Sequence, residues 1–121
     1  MPRRGEIYYA DLRATRGREQ RGRRRPVLIV SADAVNAQPL VVAVVVGTDA
    51  AHISRNYSTN VFVSARDSGL PMATVFLCFQ LRSLDESRLE RDAKGNLIPA
   101  GVLPPAKMAD VENALRLVLA L

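Results

Sequence analysis

Residues 41–46 read VVAVVV, five valines around one alanine. Branching at Cβ stiffens χ1 and crowds a helical turn, whereas the same side chains pack well on a pleated surface. The run is therefore a strand, and Gly47 is expected to end it, delivering Thr48 to its carboxyl end. Other short apolar runs recur along the chain, each bounded by Gly, Pro or polar residues. They are EIYYADL at 6–12, PVLIVS at 26–31 and NVFVS at 60–64. The longer MATVFLCFQLRSL at 72–84 reads as two strand pieces joined by a bend or bulge, and a short strand is expected at Leu97 and Ile98. Helix formers over 32–38 follow Ser31, the expected N-cap, and stop at Pro39. A helical turn is expected over 85–90. The clearest helix starts at Pro104 and Pro105, with Met108, Val111, Leu115, Val118 and Leu119 recurring at roughly helical spacing. Short strands, tight loops and one terminal helix define a mainly β fold with helices, a small, strongly bent β-barrel with a C-terminal helix. At 121 residues it is expected to be one domain, residues 1–121.

Chemistry is bounded next. A single Cys78 rules out an internal disulfide, and its apolar surroundings point to packing rather than nucleophilic work. The one histidine, His52, sits in a polar segment without a second ligand nearby in sequence, so neither a metal nor a cofactor is expected. No signal peptide and no apolar run near 18 residues is visible, so a cytoplasmic location is expected.

Charge is distributed unevenly. Residues 1–25 carry 9 Arg against 3 acids, a net of +6, while residues 26–121 carry 8 basic and 9 acidic residues, a net of −1. Seven of the arginines fall between positions 13 and 25: Arg13, Arg16, Arg18, Arg21, Arg23, Arg24 and Arg25. They form a glycine-punctuated loop between two strands. The chain uses 15 Arg and 2 Lys, a preference that suits planar, bidentate contact with phosphate. A solubilising role alone does not require seven guanidiniums beside a strand, so a polyanion is the expected partner. Three Phe, three Tyr and no Trp argue against a binder built mainly on base stacking, leaving backbone electrostatics to carry more of the affinity. An anionic membrane surface fits poorly, because no basic amphipathic helix is present.

Two segments add a family resemblance. The first, RRGEIYYADLRATRGREQRGRRRPVLIVS at 3–31, resembles the opening of the MazF/PemK/Kid ribonuclease toxins, RGEIxxxDLxPxxGxEQxGxRPxLIxS. It matches at Arg4, Gly5, Glu6, Ile7, Asp11, Leu12, Gly17, Glu19, Gln20, Gly22, Arg25, Pro26 and Ser31. The second, VFLCFQLRSLDESRL at 75–89, resembles the later VxxCDQIRTLDxxRL block. The resemblance implies an SH3-like barrel, a homodimer, and metal-independent cleavage of single-stranded RNA at short sequences. It also implies a cognate antitoxin whose acidic segment fills the RNA groove.

The resemblance further implies that Arg25, before Pro26, is the catalytic cation and that Thr48 is its catalytic partner. One extra arginine between Gly22 and Pro26 leaves Arg24 as the alternative to Arg25. Glu19 sits among arginines whose charge pulls its pKa down, which favours an ordering role over general-base work. Gln20 and Gln80 are expected as hydrogen-bonding supports, Gln80 holding the Thr48 or Arg25 region. Arg13, Arg16, Arg18, Arg21, Arg23, Arg24, Arg55 and Arg82 are expected to contact RNA, with a second loop over 49–59 helping to shape base pockets. The chain departs from Kid-like members at Leu77, Cys78 and Phe79, where the acid and arginine of that branch are missing. A non-catalytic basic barrel that binds nucleic acid and regulates is the competing reading.

Overall fold

A computed structural model describes residues 1–13, 17, 22, 24–38 and 41–121. Among the described residues six strands form one antiparallel sheet in the order β4-β5-β3-β2-β1-β6. They are β1 (Glu6–Ala10), β2 (Arg25–Ile29), β3 (Val42–Asp49), β4 (Asn60–Val63), β5 (Thr74–Leu84) and β6 (Gly101–Val102). The described residues also form the α-helices α1 (Asp33–Asn36), α2 (Ala65–Ser68) and α3 (Pro105–Leu119), with 3-10 turns at Ala50–His52 and Glu86–Arg88. The sheet curls into a half-barrel. Among the described residues no helix is long and apolar enough to cross a membrane.

The valine run lies at the centre of the sheet, paired with β2 on one side and β5 on the other. Both of its faces are buried, which explains why it is continuously apolar rather than alternating. Ile7, Leu28, Val45, Val61, Val63, Phe76 and Cys78 pack on one face beneath Met108, Val111 and Ala114 of α3. Tyr8, Ala10, Leu12, Val27, Ile29, Val42, Val44, Val46, Leu84 and Leu89 fill the other, inner face. Deleting a large side chain from either cluster is worth about 2–5 kcal/mol.

Several boundaries differ from the sequence reading. The valine strand does not end at Gly47 but continues through Thr48 to Asp49. Gly47 is needed there for space, because a Cβ would lie 2.9 Å from Thr74 Cγ2 and 3.0 Å from Phe76 Cε1. Ser31 is not the cap of α1. Ala32 takes that place without a side-chain bond, while the Ser31 hydroxyl donates to Asn36 Oδ1 and accepts the Ala43 N–H. The apolar stretch at 72–84 forms one strand with the expected irregularity, a register shift opposite Val45 and Val46. Leu97 makes only an isolated bridge to Arg91, and the short strand forms instead at Gly101–Val102, paired with β1. Pro99 has no N–H to give a ladder, whereas Gly101 can lie close against the Ser68 carbonyl. Leu119 faces solvent, and the buried stripe of α3 is Met108, Val111 and Ala114.

Candidate active site

Strand register brings the two expected catalytic side chains together. In the β2–β3 ladder Val27 pairs with Val46, so extending it by two residues sets Arg25 opposite Thr48. Two-residue periodicity keeps Arg25, Val27 and Ile29 on one face, with Thr48, Val46 and Val44 across from them. Those valines and Ile29 belong to the inner core, so the pair sits at its end, where apolar packing gives way to polar chemistry. Arg25 NH2 donates to Thr48 Oγ1 at 3.0 Å. Thr48 is only 4% exposed and Arg25 half-buried, so the bond lies partly out of water. The threonine oxygen accepts from the guanidinium and still has its own hydrogen to donate.

Gly22 helps to position this arginine. Its φ of +142° suits glycine, and a Cβ there would lie 3.1 Å from Arg25 Cδ. Its carbonyl accepts the Leu12 N–H at 2.8 Å, tying the base of the arginine-rich loop to the end of β1. The Arg25 side chain therefore runs where a Cβ on residue 22 would crowd it.

Arg24 has a different environment. It forms two hydrogen bonds with Glu90, Nε to Oε2 at 2.8 Å and NH2 to Oε1 at 3.2 Å. Its guanidinium carbon lies 3.8 Å from the Tyr9 ring centroid. Tyr9 packs against the α3-side core, the face opposite Thr48. The Arg24 side-chain hydrogen bond is the main cause holding the Glu90 carboxyl below its ordinary pKa. Of the two arginines before Pro26, the structure brings Arg25 to Thr48.

The other expected residues fall in several places. Arg13 grips Asp11 through Nε and NH2, with NH2 2.6 Å from Oδ2. Arg55 NH1 lies 3.5 Å from the Tyr57 hydroxyl. Arg82 faces inward opposite Val44, with NH1 buried and without a hydrogen-bond partner among the described residues. Gln80 borders a cavity with Tyr57, Thr59 and Phe79. Arg16, Arg18, Glu19, Gln20, Arg21 and Arg23 lie outside the described residues. Sequence reasoning missed Asp11, Tyr9 and Glu90 as arginine partners. The Asp11–Arg13 spacing was the one local signal, since Tyr9 and Glu90 reach Arg24 only through the fold.

Among the described residues there is no group of three or more His, Cys, Asp or Glu side chains able to hold a metal ion. Cys78 is buried, and burial pushes its thiol pKa up to about 11, away from nucleophilic use.

The family model for the PemK-like, MazF-like toxin of type II toxin–antitoxin systems matches residues 3–119. The chain belongs to this family. It is 35% identical to the endoribonuclease MazF of Staphylococcus epidermidis over 121 residues, 100% of this chain and 93% of that protein. It is also 35% identical to the endoribonuclease MazF9 of Mycobacterium tuberculosis over 122 residues, covering 97% of this chain and 95% of the relative. Among solved structures, an endoribonuclease in complex with its cognate antitoxin from a mycobacterial species superposes with a TM-score of 0.75 at 25% identity, covering 100% of this chain and 97% of the other. MazF from Deinococcus radiodurans gives 0.78 at 24% identity over 99% and 97% of the two chains, a likeness of fold. The half-barrel and terminal helix of this MazF-like chain are thus those of the family, and both Arg25 and Thr48 lie inside the matched span.

Proposed function

We propose that this chain is a sequence-specific, metal-independent endoribonuclease toxin that cuts single-stranded RNA and is held inactive by a cognate antitoxin. The family and its endoribonuclease relatives support the activity, and one observation carries the chemistry: the Arg25 guanidinium 3.0 Å from the Thr48 hydroxyl. RNA contains its own nucleophile, the 2′-hydroxyl beside each phosphodiester. The protein has to hold that oxygen in line with phosphorus, help its proton leave, stabilise the phosphorane and protonate the departing oxygen.

In this reading the 2′-oxygen forms a bond to phosphorus as the bond to the 5′-oxygen breaks. The 2′-proton is lost and the 5′-oxygen gains one, leaving a 2′,3′-cyclic phosphate and a 5′-hydroxyl. Arg25 places two N–H donors on the non-bridging oxygens, where the developing charge makes its contribution about 3 kcal/mol in the transition state. Thr48 orients the guanidinium and offers its hydrogen to a phosphate oxygen or to the 2′-hydroxyl. Arginine remains protonated at neutral pH, so its first role is charge stabilisation rather than proton donation.

The arginine-rich segment attracts the RNA backbone, and the antitoxin competes for the same surface with its acidic side chains. The toxin works in the cytoplasm as a homodimer, measurable by light scattering. Incubation with RNA in EDTA followed by end-group analysis tests the whole reading. Cyclic phosphate and 5′-hydroxyl ends that disappear with Arg25→Ala support it, whereas tight binding to intact RNA identifies a non-catalytic binding module.

A further inference from the structure

The register shift in β5 has a chemical consequence. Leu77 pairs with Val46 and Leu81 with Val45, so Cys78, Phe79 and Gln80 have no counterparts on β3. Leu77 shares the inner face with Val46, and Cys78 packs in the α3-side core, so Phe79 points inward again. Counting from the other end, Leu81 packs against the α3-side core, which also turns Gln80 inward. The bulge thus aims two consecutive side chains to the same face, an outcome a regular strand forbids.

These two side chains border a cavity of about 450 Å³ together with Tyr57 and Thr59. Phe79 and Tyr57 meet edge to face, with ring centroids 6.3 Å apart and an interplanar angle of 76°. Each ring is about half exposed, at 48% and 50%. Six Phe and Tyr residues are all the chain has, and spending two of them here leaves apolar ring faces open to water. Gln80 and Thr59 also line the cavity, and two arginines lie near its residues. Arg55 lies beside Tyr57, and Arg82 lies two residues beyond Gln80 on the same face.

We infer that Tyr57, Phe79 and Gln80 form a base-recognition subsite, in which a nucleobase flanking the cut stacks on the exposed aromatic face while Gln80 reads its edge. The inference rests on the ribonuclease reading and deepens it by assigning part of the sequence preference. Three features favour a nucleobase: aromatic faces, an amide that both donates and accepts, and arginines nearby for the flanking phosphates. Position agrees, because the bulge lies opposite Val46 and Val45, two and three strand residues from Thr48, roughly 7–10 Å along β3. That reaches a neighbouring nucleotide rather than the one being cut. In this reading Gln80 acts at the edge of a base.

The test uses the full-length protein and oligoribonucleotides that carry one 2-aminopurine, moved position by position along a cleaved sequence with 2′-deoxy sugar at the cut. Stacking on the rings quenches the fluorophore at one position only. Phe79→Ala and Tyr57→Ala weaken binding by about 5- to 150-fold and abolish that quench, while Phe79→Tyr recovers most of both. Gln80→Leu leaves the quench and relaxes base preference at that one position in cleavage maps. Both alanine changes remove exposed rings, and circular dichroism checks that the fold is kept.

Wild-type affinity, quench and cleavage map in both alanine variants overturn the inference. So does loss of dimerisation, which assigns the rings to a self-interface, or loss of antitoxin binding alone with RNA binding intact. A protein that quenches at one position but never cuts ribose RNA retains this subsite while the ribonuclease reading fails. One that cuts normally without Phe79 keeps the ribonuclease and loses the subsite.

Discussion

Replacing Arg25 with alanine separates the chemistry from the binding. The guanidinium sits 3.0 Å from Thr48 Oγ1 at the end of the inner core, fixed by β2 and by the open surface at Gly22. Removing one preorganised donor to a developing oxyanion costs about 2.7–4 kcal/mol, so kcat should fall by about 10²–10³-fold. Arg25→Lys keeps the charge but loses the planar fork, and its kcat should recover only partly. Stability should change little by comparison: the lost bond contributes about 1 kcal/mol to the fold, a few degrees in Tm. Arg24 is the internal control. Arg24→Ala breaks contacts to Glu90 and Tyr9 that face away from Thr48, and its effect on catalysis should appear in KM. Single-turnover cleavage of a fluorescent oligoribonucleotide in EDTA, at saturating and limiting protein, gives both quantities. A full wild-type kcat in Arg25→Ala, or a collapse of kcat in Arg24→Ala, refutes the assignment.

Other outcomes follow from the same geometry. Thr48→Val removes the hydroxyl at nearly constant volume and should lower kcat by about tenfold or more, with Thr48→Ser restoring most of it. Gly47→Ala forces a methyl to within 2.9–3.0 Å of Thr74 and Phe76 and should destabilise by about 1–3 kcal/mol in urea unfolding. The Cys78 thiol is held neutral by burial, with its pKa raised from 9.0 to about 11. Its contribution to stability is complete below pH 9 and is lost as pH rises towards 11, so the wild-type midpoint should fall more steeply across that window than that of Cys78→Ala. RNA affinity should drop with salt at a log–log slope of about −0.7 per phosphate contact, and a flat response contradicts the role given to the arginine-rich loop.

The pieces that could be read from the sequence were those set by local chemistry. Valine content made β3 a strand, the two prolines started α3, and the charge split pointed to a polyanion before any strand was placed. The choice between Arg24 and Arg25 could not be read that way. In PVLIVS both faces are apolar, since β2 is buried on both sides, so alternation gives no parity and only the pairing with β3 shows which arginine meets Thr48. Gly47 carried two meanings, a strand end or a close approach, and the nearness of Thr74 and Phe76 makes it the second. The Tyr57–Phe79 pair was hidden for a similar reason. The rings stand 22 positions apart and meet only because the β5 bulge turns Phe79 inward. A low aromatic content argued against a binder built mainly on stacking, and it said nothing about where the few rings would gather.

The central claim is that the RNA cuts itself, with Arg25 and Thr48 holding the reacting phosphate. A substrate with one 2′-deoxy sugar at the cleaved nucleotide, and ribose everywhere else, tests it directly. The protein should bind this oligonucleotide with nearly the affinity of the all-ribose strand and leave it whole in EDTA, while cutting the all-ribose strand to a 2′,3′-cyclic phosphate. Cleavage at the deoxy position would mean that water is the nucleophile and would contradict the account.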